Sequence, residues 1–193
     1  MCHFQKKERV YTYADYLSWP ENERIEIIDG VPYLQAAPSR IHQEVLSDVH
    51  RQLANYLLDK DYKVYPAPFH VVLDPENENA DDARSKYVLE PDISVVCDKE
   101  KLDDRGCKGS PDLIVEIISP STARKDKIEK FHIYEQYGVQ EYWMIEPKEK
   151  IVSVFSLQRN GKYGRPELYT EEDQVEVSLF DDLVIKLDSV FDL

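Results

Sequence analysis

The chain has 193 residues, of which 42 % are hydrophobic and 32 % charged, with 13 tyrosines; this is globular composition, and the length predicts one compact domain spanning 1–193. No run approaches the roughly 20 apolar residues of a membrane span, and "MCHFQKKERVYTYADYL" lacks the apolar core of an export signal. The net charge of −14 argues against a large basic face for non-specific nucleic-acid binding.

From the N-terminus, "RIEIIDGVPYL" (24–34) predicts two strands joined by an Asp29-Gly30 hairpin turn. "PSRIHQEVLSDVHRQLANYLL" (38–58) places His42, Val45, Leu46, Val49, Leu53, Tyr56 and Leu57 on one helical stripe, with Ser39 as its cap. "KVYPAPFHVVL" (63–73) reads as a strand pair or bent strand, pushed toward a sheet edge by its prolines. "DPENENADDARSK" (74–86) is a polar, acidic loop. "PDISVV" (91–96) is a buried strand, "KEKLDDRGCKGS" (99–110) a polar connector with room for a helical turn, and "DLIVEII" (112–118) a second buried strand. "ARKDKIEKFHIYEQYG" (123–138) predicts a helix burying Ile128, Phe131, Tyr134 and Tyr137 and closing at Gly138. "EYWMIEP" and "IVSVFSL" are strands around a turn at 147–150, and the last segment adds short strands and a short helix. The order predicts an α/β (α+β) fold with one mixed central sheet flanked by helices.

Cys2, Cys97 and Cys107 show no CxxC spacing and read as reduced thiols of a cytoplasmic protein. With six glycines, no phosphate-cradling glycine loop is present, nor any zinc-ligand spacing. The aromatics of "YEQYGVQEYW" fall on a helix stripe and in a strand, where core packing explains them better than base stacking.

The unusual residue is Glu116, an acid inside Leu113-Ile114-Val115 and Ile117-Ile118. Burying an ionised carboxylate costs several kcal/mol unless a cation or strong donors meet it. One reading is a carboxylate that reaches the sheet rim and pairs with Arg or Lys. The other is a divalent cation shared with a second acid. Asp112 lies on the same strand face, but four residues at about 3.3 Å put its Cα about 13 Å away, too far for one ion. Asp92 opens the other buried strand; if the strands pair, it comes within about 4.8 Å across the ladder. Asp92 and Glu116, with the Ile117 carbonyl, are therefore the candidate ligands for Mg²⁺ or Mn²⁺. Position 118, which shares Glu116's face, is isoleucine, so the nearest cations are Lys125, Lys127 and Lys130 on the next helix. Lys130 can lay its stem along the core and return its ammonium toward the strand ends, or pair with Asp126 on the helix surface. Residues 99–130 carry eight Lys/Arg against seven Asp/Glu, leaving −15 on the rest, so a local phosphate-tolerant patch around Arg124, Lys125 and Lys127 is compatible with the acidic body.

Pro91-Asp92, Glu116 within an apolar strand and a lysine beyond it resemble the PD-(D/E)XK nuclease superfamily with its lysine displaced to the following helix. More narrowly, "RIEIIDGVPYL", "APSRIH", "EPDISVVCD", "SPDLIVEIISPST" and "DKIEKFHIYEQYGVQEYWMIEP" resemble the Uma-two family, labelled restriction endonucleases, from about Tyr11 onward. The resemblance implies a restriction-endonuclease-like core with an N-terminal hairpin, and Mg²⁺-dependent (or Mn²⁺-dependent) hydrolysis of nucleic acid, DNA by preference. It implies Asp92 and Glu116 as metal-binding acids and Lys130 as the migrated lysine. Glu26 stands at the family's hairpin glutamate and His42 at its helix-start histidine, with Ser119 a further accessory candidate. A nuclease fold kept as a binding or assembly module without catalysis is the rival reading, and homodimerisation stays open.

Overall fold

The computed structural model describes residues 9–20, 23–73 and 82–193; Cys2 and most of the acidic 74–86 loop lie outside them. In chain order come α1 (Tyr13–Tyr16), β1 (Ile25–Ile28), β2 (Val31–Leu34), α2 (Arg40–Leu57), β3 (Lys63–Pro66), β4 (His70–Leu73), β5 (Tyr87–Leu89), β6 (Ile93–Val96), β7 (Gly106–Lys108) and β8 (Leu113–Ile117). A π-helical turn (Lys125–Lys130) then runs directly into α3 (Phe131–Gln136), followed by β9 (Glu141–Glu146), β10 (Ile151–Ser156), β11 (Glu167–Thr170), β12 (Gln174–Glu176), β13 (Val184–Lys186) and α4 (Leu187–Val190).

The local chemistry accounts for much of this. Asp29 and Gly30 both take positive φ (49° and 74°), the conformation a two-residue hairpin turn requires, and β1 pairs β2 antiparallel around them. Ser39 caps α2 by accepting from the His42 backbone N–H, and the helix buries Val45, Leu46, Val49, Leu53 and Leu57.

The mixed α+β architecture holds, but the sheet is divided. A six-stranded mixed sheet runs β11-β10-β9-β8-β6-β3, and a five-stranded sheet runs β2-β1-β5-β4-β7. Proline-bearing corners pass between them, one of them at Pro111 between β7 and β8. Pro66-Ala67-Pro68 separates β3, an edge strand of the large sheet, from β4 inside the smaller one, and Glu90-Pro91-Asp92 separates β5 from β6. The ring that removes a ladder N–H is tolerated at such breaks. The connector 99–110 contributes β7, whose Gly-Cys-Lys sequence carries no apolar alternation and which pairs parallel with β4.

Alternation along β8 sorts the interior. Leu113, Val115 and Ile117 face α2 and the C-terminal elements, whereas Ile114 faces the second cluster with Ile133, Tyr134 and Tyr142. Glu116 shares Ile114's face. The parallel neighbours β8 and β9 are joined by the crossover that contains the π turn and α3. That π turn overrides the predicted stripe only at its start: Ile128 is 52 % exposed and Asp126 and Lys130 are buried, whereas Phe131, Tyr134 and Tyr137 pack inward as expected. An i→i+5 turn rotates its own residues relative to an α-helical wheel, so positions that count as flanking turn inward.

Candidate active site

β6 and β8 pair antiparallel with Ile93 opposite Val115, a register that continues to set Asp92 opposite Glu116. The β6–β8 pairing on which the preference for Asp92 over Asp112 depends is present. Asp112 is instead a strand-start tie, accepting from the Cys97 N–H at 2.7 Å and from Gln140 Nε2 at 2.9 Å.

Asp92 is held through one oxygen. Its Oδ2 accepts the Ile117 N–H at 2.7 Å and lies 3.1 Å from His42 Nε2. Its Oδ1 has no hydrogen-bond partner among the described residues. His42 comes from the first turn of α2, where the Ser39 cap fixes the backbone, and its Nδ1 is buried without a hydrogen-bond partner among the described residues. Glu116 is held in the same one-sided way: Oε1 accepts from Lys130 Nζ at 2.7 Å and from the Tyr134 hydroxyl at 2.8 Å, while Oε2 accepts nothing among the described residues.

Lys130 Nζ also stands 2.7 Å from Glu26 Oε1 and 3.8 Å from Asp126 Oδ1, with its side chain only 4 % exposed. Glu26, fully buried on β1, receives the Glu90 backbone N–H at 3.0 Å and a hydrogen bond from Gln35 Nε2. Lys125 reaches Glu26 Oε2 at 3.7 Å and lies 4.4 Å above the Tyr33 ring. Glu26, Glu116 and Asp126 therefore gather round one buried ammonium, with the charge of Asp92 acting on Glu116 and a second, largely buried ammonium at Glu26.

The imbalance shows in the protonation equilibria. Burial pushes the Glu116 carboxyl well above its usual range; the charges of Asp126, Asp92 and Glu26 add to this, and Lys130 opposes it. Burial likewise raises Asp126 against the pull of Lys130. For Lys130, burial alone would favour the neutral amine, but Glu116, Glu26 and Asp126 outweigh it and hold the ammonium well above the usual lysine value. Tyr134, raised first by burial and then by Glu116, stays a neutral donor.

A cavity of about 300 Å³ opens onto this cluster, lined by Asp92, Glu116, Ile117, Lys130, His42 and Ser119 among others. No group of three or more His, Cys, Asp or Glu side chains is set to hold an ion among the described residues. The donor set on offer is two facing carboxylates with free oxygens and the backbone at Ile117. It suits a cation that keeps much of its water shell, as Mg²⁺ does with one or two carboxylates and substrate phosphate. The surplus of negative charge points the same way.

The remaining expected site residues divide. Ser119 lines the cavity, its Oγ 2.9 Å from Ser121 Oγ and 3.0 Å from Thr122 Oγ1. Of the three basic residues assigned to nucleic acid, Lys125 faces the acid cluster, Lys127 pairs with Glu146, and Arg124 is 86 % exposed beside Glu129. Gln35, Asp126 and Tyr134 join the site without having been anticipated as members. Tyr134 had a signal, since it lies one helical turn after Lys130.

A family model described as "Putative restriction endonuclease" (Uma2) matches residues 13–188. The chain belongs to the Uma-two family. This Uma-two protein is 26 % identical over 175 residues to "Uncharacterized protein sll1609" of Synechocystis sp. (strain ATCC 27184 / PCC 6803 / Kazusa), covering 88 % of this chain and 94 % of that one. It is 24 % identical over 153 residues to "Uncharacterized protein slr1290" of the same organism, covering 77 % and 75 %. Its fold is similar to a crystal structure from Anabaena variabilis ATCC 29413 described as "a putative nuclease belonging to DUF820", with a TM-score of 0.73, 19 % identity, and 93 % and 97 % of the two chains covered. Among the described residues, no helix is long and apolar enough to cross a membrane.

Proposed function

We propose that this chain is a divalent-metal-dependent endonuclease that hydrolyses phosphodiester bonds of DNA, with Asp92 and Glu116 as metal-binding acids and Lys130 as the catalytic lysine. The observation that carries the reading is one juxtaposition. Two carboxylates face each other across adjacent strands, each with one oxygen held by the protein and one without a partner among the described residues, and a buried ammonium stands 2.7 Å from the second. Family membership and the nuclease-like fold support it.

A bound Mg²⁺ or Mn²⁺ would supply electrophilic activation of water and of the scissile phosphate. The chain's own residues do the rest. The Ile117 N–H and His42 fix the plane of Asp92, so that Oδ1 is presented without rearrangement, and Tyr134 does the same for Glu116. Lys130, kept charged by three carboxylates, places a positive charge where negative charge develops on the phosphoryl oxygens. Lys125 sits at the rim to meet a flanking phosphate.

Lys130 already bridges Glu116 and Glu26, which also favours a second reading, a nuclease fold kept as a binding or assembly module. Plasmid cleavage separates the two. With Mg²⁺ or Mn²⁺, wild type should nick and linearise DNA, whereas Asp92→Ala and Glu116→Gln should be reduced at least a hundredfold. Equal cleavage by all three rejects the site, and no cleavage by wild type favours the module.

A further inference from the structure

A second cavity, of about 380 Å³, lies beside the first and plays no part in the chemistry above. Its walls combine two aromatic side chains, Tyr16 and Trp19, with Arg24, His70 and Arg105 and the acids Glu23 and Glu90. Tyr16 and Trp19 lie 5.7 Å apart at a 56° tilt, and His70 meets Tyr16 edge-on at 4.9 Å. Glu90, whose side chain is 2 % exposed, fixes the floor. Its Oε2 accepts Arg24 Nε at 3.0 Å, and its Oε1 lies 3.2 Å from His70 Nε2 and 3.4 Å from the Tyr16 hydroxyl. Burial opposes the Glu90 charge, but His70 and Arg24 more than offset it and lower the carboxyl below its usual range. Arg24 is thereby anchored through Nε alone and donates nothing further to a described residue. Arg105, whose charge acts on Tyr13, adds a second guanidinium.

The two cavities share a wall, because Arg24 and Glu90 line both. Glu90 precedes Asp92 by two residues in Glu90-Pro91-Asp92, so their Cα atoms are at most about 7 Å apart. That is about two rises of a stacked strand at about 3.4 Å each. A strand with its phosphate at Asp92 and Glu116 therefore brings a nucleotide one or two places along to Arg24. An alkyl ligand would leave the buried carboxylate and two guanidinium groups facing hydrocarbon. A planar ring bearing polar edges and an attached phosphate satisfies aromatic wall and arginine together.

We infer that this second cavity receives an unpaired nucleobase within two nucleotides of the scissile phosphate, stacked on Trp19 with its backbone phosphate against Arg24. The preferred substrate is then a single-stranded or locally opened strand rather than an intact duplex, since a paired base enters only by leaving its stack. The inference rests on the nuclease reading and names the form of nucleic acid it takes.

The test uses the full chain carrying Glu116→Gln, which keeps the shape and stops cleavage, with and without Mg²⁺. Anisotropy of a labelled single-stranded oligodeoxynucleotide and of its fully paired duplex reads affinity. Adding Trp19→Ala should weaken single-strand binding by about five- to a hundredfold, the range for losing one stacked base, whereas Trp19→Phe retains most of it and duplex binding changes by less than about threefold. The chain has two tryptophans, and Trp143 is fully buried, so a single strand that quenches tryptophan emission reports on Trp19. Unchanged single-strand affinity in Trp19→Ala, or no quenching at saturation, overturns the base site. Should Trp19→Ala in the otherwise wild-type chain cut single strands with unchanged KM, the base site falls and the nuclease reading stands; a wild type that neither binds nor cuts any strand removes both.

Discussion

Replacing Lys130 by methionine keeps the aliphatic stem and deletes the charge on which the acid cluster closes. In metal-free protein at neutral pH its ammonium faces Glu116 and Glu26 at 2.7 Å and Asp126 at 3.8 Å. At an effective dielectric of about 20, each close contact is worth about 6 kcal/mol before desolvation is subtracted. Protonation of Glu116, whose carboxyl burial already raises, absorbs part of the loss. The expected net destabilisation is that of breaking one side of a buried ion pair, about 3–5 kcal/mol, against a total stability of about 5–15 kcal/mol. Urea unfolding in EDTA reads this as a fall in midpoint of about 1–1.7 M if the slope is about 3 kcal/mol/M. Mg²⁺ at a hundred times the variant's Kd should then stabilise the variant by about 2.7 kcal/mol and wild type by less, because the wild-type ammonium competes for the same carboxylates. The double variant Lys130→Met/Glu116→Gln should lose less than Lys130→Met alone, because one stranded charge goes with its partner. A Lys130→Met midpoint equal to wild type in EDTA would refute the buried cluster.

The raised Glu116 carboxyl implies a pH dependence. A group whose folded pKa lies above its ordinary 4.5 stabilises the fold at and below that value and withdraws the contribution as pH climbs through the raised one. Lys130 stays charged throughout this window. In EDTA, wild type should therefore be most stable relative to Glu116→Gln near pH 4.5, and the advantage should narrow toward neutrality; a gap constant with pH contradicts the shift. His42→Ala removes one of the two donors on Asp92 Oδ2 and should weaken Mg²⁺ binding about 10–100-fold, as outer-shell losses do, with the urea midpoint little changed and His42→Gln recovering part of the affinity. Calorimetry of Mg²⁺ binding checks this, and equal affinity in all three proteins would remove His42 from its positioning role.

What could be foreseen follows the range of the interactions. The hairpin was readable because Asp29-Gly30 demands positive φ locally, and α2 because Ser39 and a five-residue apolar stripe act within one helix. Asp92 opposite Glu116 was reachable because strand spacing alone excludes Asp112. The exchange of strands between two sheets was not, since it depends on corners at Pro66-Ala67-Pro68 and Glu90-Pro91-Asp92 whose partners lie far along the chain. Nor was the π turn. A wheel drawn at the α-helical period buries Ile128 and leaves Asp126 and Lys130 flanking, whereas the wider turn does the reverse because Glu116 and Glu26 offer Lys130 a buried site. Tyr134 entered the site for the same long-range reason, completing a carboxylate supplied by β8, whereas Gln35 reaches Glu26 across its own hairpin.

The most direct measurement is crystallographic: anomalous scattering from crystals soaked in Mn²⁺. The account predicts one peak between Asp92 and Glu116, with carboxylate oxygens at about 2.1 Å from the ion and the Ile117 carbonyl turned toward it, and loss of that peak in Glu116→Gln. A soaked crystal with Mn²⁺ bound elsewhere and none between these two acids would contradict it.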